Sequence, residues 1–134
     1  MHNAPPEPST DAPRARVLLA EDQPAMRTLL AMALRKLGWE VREVGDGAQL
    51  LRALALGDDE PDLIVTDLHM PGVDGLEVLS RLQLTGWSTP VLVITAFGTP
   101  EAHLAALRSG AATVLDKPFT LDAFTARALE LVGA

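Results

Sequence analysis

Five side chains suited to phosphoryl chemistry stand at the ends of short apolar runs. Glu21 and Asp22 follow Leu18-Leu19-Ala20, Asp67 follows Leu63-Ile64-Val65-Thr66, Thr95 follows Val91-Leu92-Val93-Ile94, and Lys117 follows Val114-Leu115-Asp116. A carboxylate can accept a phosphoryl group as an acyl phosphate, but repulsion opposes its approach to an anionic donor. A divalent cation cancels that repulsion, and hard Mg²⁺ favours carboxylate, carbonyl and water oxygens. Glu21, Asp22 and Asp67 are the oxygen donors at hand. Lys117 brings a compact positive charge for one phosphoryl oxygen, and the Thr95 hydroxyl can donate to another. Taken singly, each has a plainer reading: an acidic pair at a helix N-terminus, a loop cap, a β-forming threonine, a solvated lysine. Their joint recurrence at strand ends is what points to a site.

To converge, these residues need elements that arrive at one edge. Apolar runs of strand length alternate with stretches of helical period, the pattern of a parallel sheet with crossover helices. Strands are expected at 17–20, 41–44, 63–66, 91–94 and 113–115. Met26, Leu30, Leu34 and Leu37 share one face of a first helix that starts at Pro24 and stops at Gly38. Asp46 is placed to cap a second helix over Leu50, Leu51 and Leu54; Leu76, Leu79 and Leu82 mark a third. Thr99-Pro100-Glu101 starts a fourth, with Leu104 and Leu107 expected to face inward, and Thr120 caps a fifth carrying Leu121, Phe124, Ala128 and Leu131. Trp39 and Trp87 read as packing aromatics near helix ends, Gly45-Asp46-Gly47 as a turn and cap, and 58–61 as solvated connection.

The chain has 134 residues, the size of one domain, and a net charge of -7 from 11 Lys+Arg and 18 Asp+Glu. That balance argues against direct nucleic-acid binding through phosphate contacts. Without cysteine there are no disulfides or thiolate metal sites. Neither a signal-peptide core nor a membrane-spanning run is visible, so a cytoplasmic location without membrane contact is the expectation.

The pattern resembles the receiver domain of two-component response regulators over residues 16–132. The resemblance rests on Glu21-Asp22, on Asp67 within Asp-Leu-His-Met-Pro-Gly-Val-Asp-Gly, on Thr95-Ala96 and on Lys117-Pro118-Phe119, in that order. It implies a flavodoxin-like (βα)5 fold, with a five-stranded parallel sheet of order 2-1-3-4-5 and helices on both faces. Residues 15–134 would form the receiver, preceded by a disordered Ala/Pro-rich tail over 1–14. Asp67 would be the phospho-acceptor, assisted by Thr95 and Lys117. Asp22 would ligate Mg²⁺ directly, with Mn²⁺ as an alternative, Glu21 through water, and His69 through its backbone carbonyl. The donor would be a sensor histidine kinase or a histidine phosphotransfer protein. The domain would switch partners rather than turn over substrate, with autodephosphorylation slow.

Several details refine those expectations. His69 and Phe97 are placed to line the phosphoryl pocket and shield an acyl phosphate. Ala102, Ala105 and Ala106 offer a mild apolar surface for a homodimer through helices four and five. Val114 stands where many receivers carry an inward-turning Tyr or Phe, and Glu21 where Asp is usual. A phosphorylation-independent interaction module is the alternative that Val114 favours. An aspartate-nucleophile phosphohydrolase is a further alternative, disfavoured by His69 standing where such enzymes carry a second Asp.

Overall fold

The apolar runs pair as strands of one sheet in a computed structural model that describes residues 14–57, 60–72, 75–96 and 98–133. Strands β1 (Arg16–Ala20), β2 (Glu40–Val44), β3 (Leu63–Asp67), β4 (Val91–Thr95) and β5 (Thr113–Asp116) alternate with helices α1 (Pro24–Arg35), α2 (Gly47–Leu56), α3 (Gly75–Leu84), α4 (Pro100–Arg108) and α5 (Leu121–Val132). Every pairing is parallel, in the order β2-β1-β3-β4-β5. This is the flavodoxin-like arrangement, and its switch point falls between β1 and β3.

Alternation along each strand divides the core. Leu18, Ala20, Ile64, Val91 and Val93 face one cluster, shared with α2, α3 and α4 through Leu50, Leu54, Val78, Leu79, Leu82 and Ala106. Val17, Leu19, Leu63, Val65, Leu92 and Ile94 face the other, shared with α1 and α5 through Leu30, Leu34, Phe124 and Ala128. Strands β3 and β4 are buried at all positions, as strands covered on both faces must be. β5, at an edge, is only partly covered.

The expected caps form. Asp46 accepts from the Gln49 N–H, Thr99 from that of Ala102, and Thr120 from that of Ala123. Two other expectations are corrected. Leu104 and Leu107 do not face inward: each is 47% exposed, and the buried residue of α4 is Ala106. Of the small residues of α4, Ala106 packs into the core while Ala102 and Ala105 are half-buried, so Ala106 cannot belong to a surface patch and the leucines project outward instead. Leu121, at the start of α5, sits at an exposed margin of that helix. Glu60 lies in an exposed connection, as expected, and its Oε1 accepts from the Ser88 N–H at 2.7 Å and from the Thr89 hydroxyl at 3.1 Å, tying the segment before β3 to the one before β4.

Trp39 is buried beside Ala15 and Val17, and Trp87 lines a cleft with Arg16, Glu40 and Pro61. Both therefore lie at the N-terminal edge of the sheet. Residues 1–13, Asp58, Asp59 and Phe97, and with them the expectations of a disordered tail and of shielding by Phe97, lie outside the described residues.

Candidate functional site

Strand order brings the ends of β1 and β3 side by side, with Ala20 in register with Thr66, so Glu21, Asp22 and Asp67 share one crevice. Lys117 reaches it from the far end of β5. Its Nζ donates to Asp67 Oδ2 at 2.7 Å and to Glu21 Oε1 at 2.8 Å. The other oxygens are also engaged: the His69 N–H donates to Asp67 Oδ1 at 2.8 Å, and the Gln23 N–H to Glu21 Oε2 at 3.1 Å. Glu21 is fully buried and Asp67 nearly so, whereas Asp22 is partly exposed. Gly75 stands against the backbone of Leu68: a Cβ there would lie 2.6 Å from Leu68 Cα, and only glycine lets α3 start so close.

Burial raises the Glu21 pKa above the ordinary carboxylate value, and the Lys117 ammonium only partly offsets that. Burial also works to lower Lys117, but its hydrogen bonds and charge attraction to Asp67 and Glu21 outweigh it and hold the ammonium up. One ammonium set among three carboxylates leaves surplus negative charge. Glu21, Asp22 and Asp67 each offer an oxygen, all lying within 4.8 Å of one another. Hard oxygen donors with excess negative charge fit a hard divalent cation, not a soft metal.

Thr95 is fully buried at the end of β4, in register with Asp116, and its carbonyl accepts the Lys117 N–H at 2.8 Å. His69 is exposed and lines an open cavity of about 410 Å³ with Leu68, Met70, Leu76 and Ala102. The edge thus gathers the acidic trio and Lys117 directly, with Thr95 one strand away.

Two parts of this edge are barely marked in the sequence. Arg27 Nη1 donates to the Glu21 carbonyl at 2.8 Å; a basic residue one turn into the helix after an acidic pair was the only hint. His103 Nε2 lies 2.7 Å from Asp116 Oδ1, joining α4 to the end of β5. That carboxylate lies across Gly98, where a Cβ would coincide with Asp116 Oδ1.

A parallel sheet with an acidic trio and a lysine at its switch point defines a flavodoxin-like domain with a charged crevice at one edge of the sheet. Residues 17–129 match the response regulator receiver domain, and the chain belongs to that family. It is 44% identical over 112 residues to the transcriptional regulatory protein TcrA of Mycobacterium tuberculosis, covering 84% of this chain and 44% of that protein. It is 39% identical over 112 residues to the response regulator MprA of Mycobacterium ulcerans, covering 84% of this chain and 47% of that protein. The chain thus spans less than half the length of these relatives. The Francisella response regulator 1452 receiver domain superposes with a TM-score of 0.82 at 28% identity, covering 89% of this chain and 97% of that one.

The molecule is therefore a receiver domain of two-component response regulators, a signalling protein rather than a turnover enzyme. Receiver domains bind Mg²⁺ at an acidic pocket, and the Glu21-Asp22-Asp67 group is suited to hold a metal. No helix among the described residues is long and apolar enough to cross a membrane.

Proposed function

We propose that Asp67 accepts a phosphoryl group and that Glu21, Asp22, Thr95 and Lys117 make the transfer feasible. The observation that carries this is the Asp67 carboxylate held at both oxygens, by Lys117 Nζ at 2.7 Å and the His69 N–H at 2.8 Å, beside two further carboxylates. In the transfer an Asp67 oxygen bonds to phosphorus while the bond to the donor breaks, the leaving group keeping its electron pair. Lys117 then turns from the carboxylate to a phosphoryl oxygen, and the Thr95 hydroxyl donates to another. Asp22, the carbonyl of His69 and, through water, Glu21 would hold Mg²⁺ (or Mn²⁺) together with Asp67. Bound there, the cation neutralises charge on the incoming phosphoryl group.

The donor is a sensor histidine kinase or a histidine phosphotransfer protein, in the cytoplasm. Residues 15–134 form the receiver and 1–14 a tail. Transcriptional regulators among the relatives support an output region that binds DNA in the whole protein, a role this acidic chain does not take itself. Homodimerisation through α4 and α5 would use the outward Leu104 and Leu107.

Incubation with acetyl phosphate and Mg²⁺, followed by intact mass, tests the acceptor. One added phosphoryl group, abolished by Asp67→Asn, is expected. Steady phosphate release without a lasting adduct would favour hydrolysis, and no adduct from any donor would favour a phosphorylation-independent module.

A further inference from the structure

Two carboxylates from adjacent residues serve one cation only if the peptide joining them is held. The Glu21 N–H donates to the Val44 carbonyl at 3.2 Å, where β2 ends. The Glu21 carbonyl, which belongs to the peptide linking Glu21 to Asp22, accepts from Arg27 Nη1 at 2.8 Å. Because that unit is planar, fixing its oxygen also fixes the direction of the Asp22 N–H. With the Glu21 N–H held on one side and the Gln23 N–H on Glu21 Oε2 at 3.1 Å on the other, Glu21 ψ and Asp22 φ have little freedom. Those two angles set how the carboxylates stand relative to each other.

Arg27 is itself braced. It lies near the start of α1, with its own N–H on the Gln23 carbonyl at 2.9 Å. Its Nε stands 3.7 Å from Glu43 Oε1, and its guanidinium lies over Gly45, where a Cβ would be 3.1 Å from Nη1. Glu43 is steadied in turn by Arg35 Nη1 at 3.0 Å, and Arg35 Nη2 donates to the Val41 carbonyl at 2.8 Å. A connected path therefore runs from β2 through Glu43 and Arg27 to the peptide between Glu21 and Asp22.

The choice of contact has an electrostatic consequence. A guanidinium placed on the acidic trio would neutralise the charge that attracts a cation. Arg27 instead pairs with Glu43, outside the trio, and grips a neutral backbone oxygen.

We propose that Arg27 is a positioning residue for the cation site: through the Glu21 carbonyl it orients the two carboxylates without discharging them. This rests on the metal reading above. Calorimetric titration of Mg²⁺ into wild type, Arg27→Met and Arg27→Lys, with melting curves in EDTA alongside, separates the two ideas. Wild type binds. Arg27→Met is expected to weaken Mg²⁺ binding about tenfold, the scale seen when a residue orienting a ligand is removed. Arg27→Lys, which still brings a donor to the carbonyl, restores most of the affinity. In the acetyl phosphate assay the Mg²⁺ concentration giving half-maximal labelling rises by the same factor in Arg27→Met, while the rate at saturating Mg²⁺ stays near wild type. A lowered melting temperature with unchanged Mg²⁺ affinity would make Arg27 a structural brace and overturn the proposal. Absence of Mg²⁺ binding by wild type would instead sink the metal reading beneath it.

Discussion

The two halves of the sheet's C-terminal edge are held with different tightness. Where β1 and β3 meet, Glu21 has both carboxylate oxygens, its N–H and its carbonyl engaged, and Asp67 is held at both oxygens. Where β4 meets β5, the outer strand is only partly covered, α4 commits one fully buried residue, Ala106, and the bridge from α4 to β5 is the half-exposed His103–Asp116 pair. Preorganisation belongs where charge must be placed to fractions of an ångström. Loose attachment belongs where elements exchange between two arrangements, because such elements are drawn from the least stable parts of a fold. Lys117 spans the two, its ammonium in the tight half and its N–H on Thr95 in the loose one.

The contrast predicts unequal losses in urea unfolding. Leu19→Ala, at a fully buried site on β1, should cost about 3 kcal/mol, and Leu115→Ala on β5 less than half as much. Equal costs would erase the distinction. Magnesium offers a second comparison: at roughly ten times its Kd it should stabilise wild type by about 1.4 kcal/mol, seen as a higher melting temperature. Asp22→Asn should lose most of that gain and Asp116→Asn keep it.

A smaller effect follows from proton binding in the tight half. The Glu21 pKa is raised in the folded state, so folding takes up a proton between its unfolded and folded values. Its contribution to stability without metal therefore grows as pH falls through that window, and Glu21→Gln should flatten this part of the denaturation profile. Lys117, also raised, contributes stability that is complete below its unfolded pKa and lost as pH climbs through the folded one. Smallest of all, His103→Gln should change global stability by about 1 kcal/mol or less, the range of exposed pairs, while speeding hydrogen exchange in α4. Slower exchange would contradict the assignment of α4 to the loose half.

The tight half was the more legible in the sequence, for a physical reason. Glu21, Asp22 and Asp67 each follow an apolar run, and parallel pairing carries all such ends to one edge whatever the details of packing. Caps were equally readable at Asp46, Thr99 and Thr120, because they act within one turn. In α4 the period told which residues share a face but not which face turns inward. Leucines are the stronger apolar signal, yet it is Ala106 that enters the core, leaving Leu104 and Leu107 outside. Arg27 with the Glu21 carbonyl, and His103 with Asp116, are tertiary contacts between residues whose types alone suggest only solvated surface.

The position of the two tryptophans decides what light can report. Trp39 and Trp87 sit at the N-terminal edge of the sheet, a strand length of about 16 Å from the acidic crevice. Their emission is therefore blind to a cation or phosphoryl group as a local quencher. A change in it on Mg²⁺ addition or phosphorylation would instead record motion carried the full length of the strands, turning an insensitive dye into a gauge of how far the signal travels.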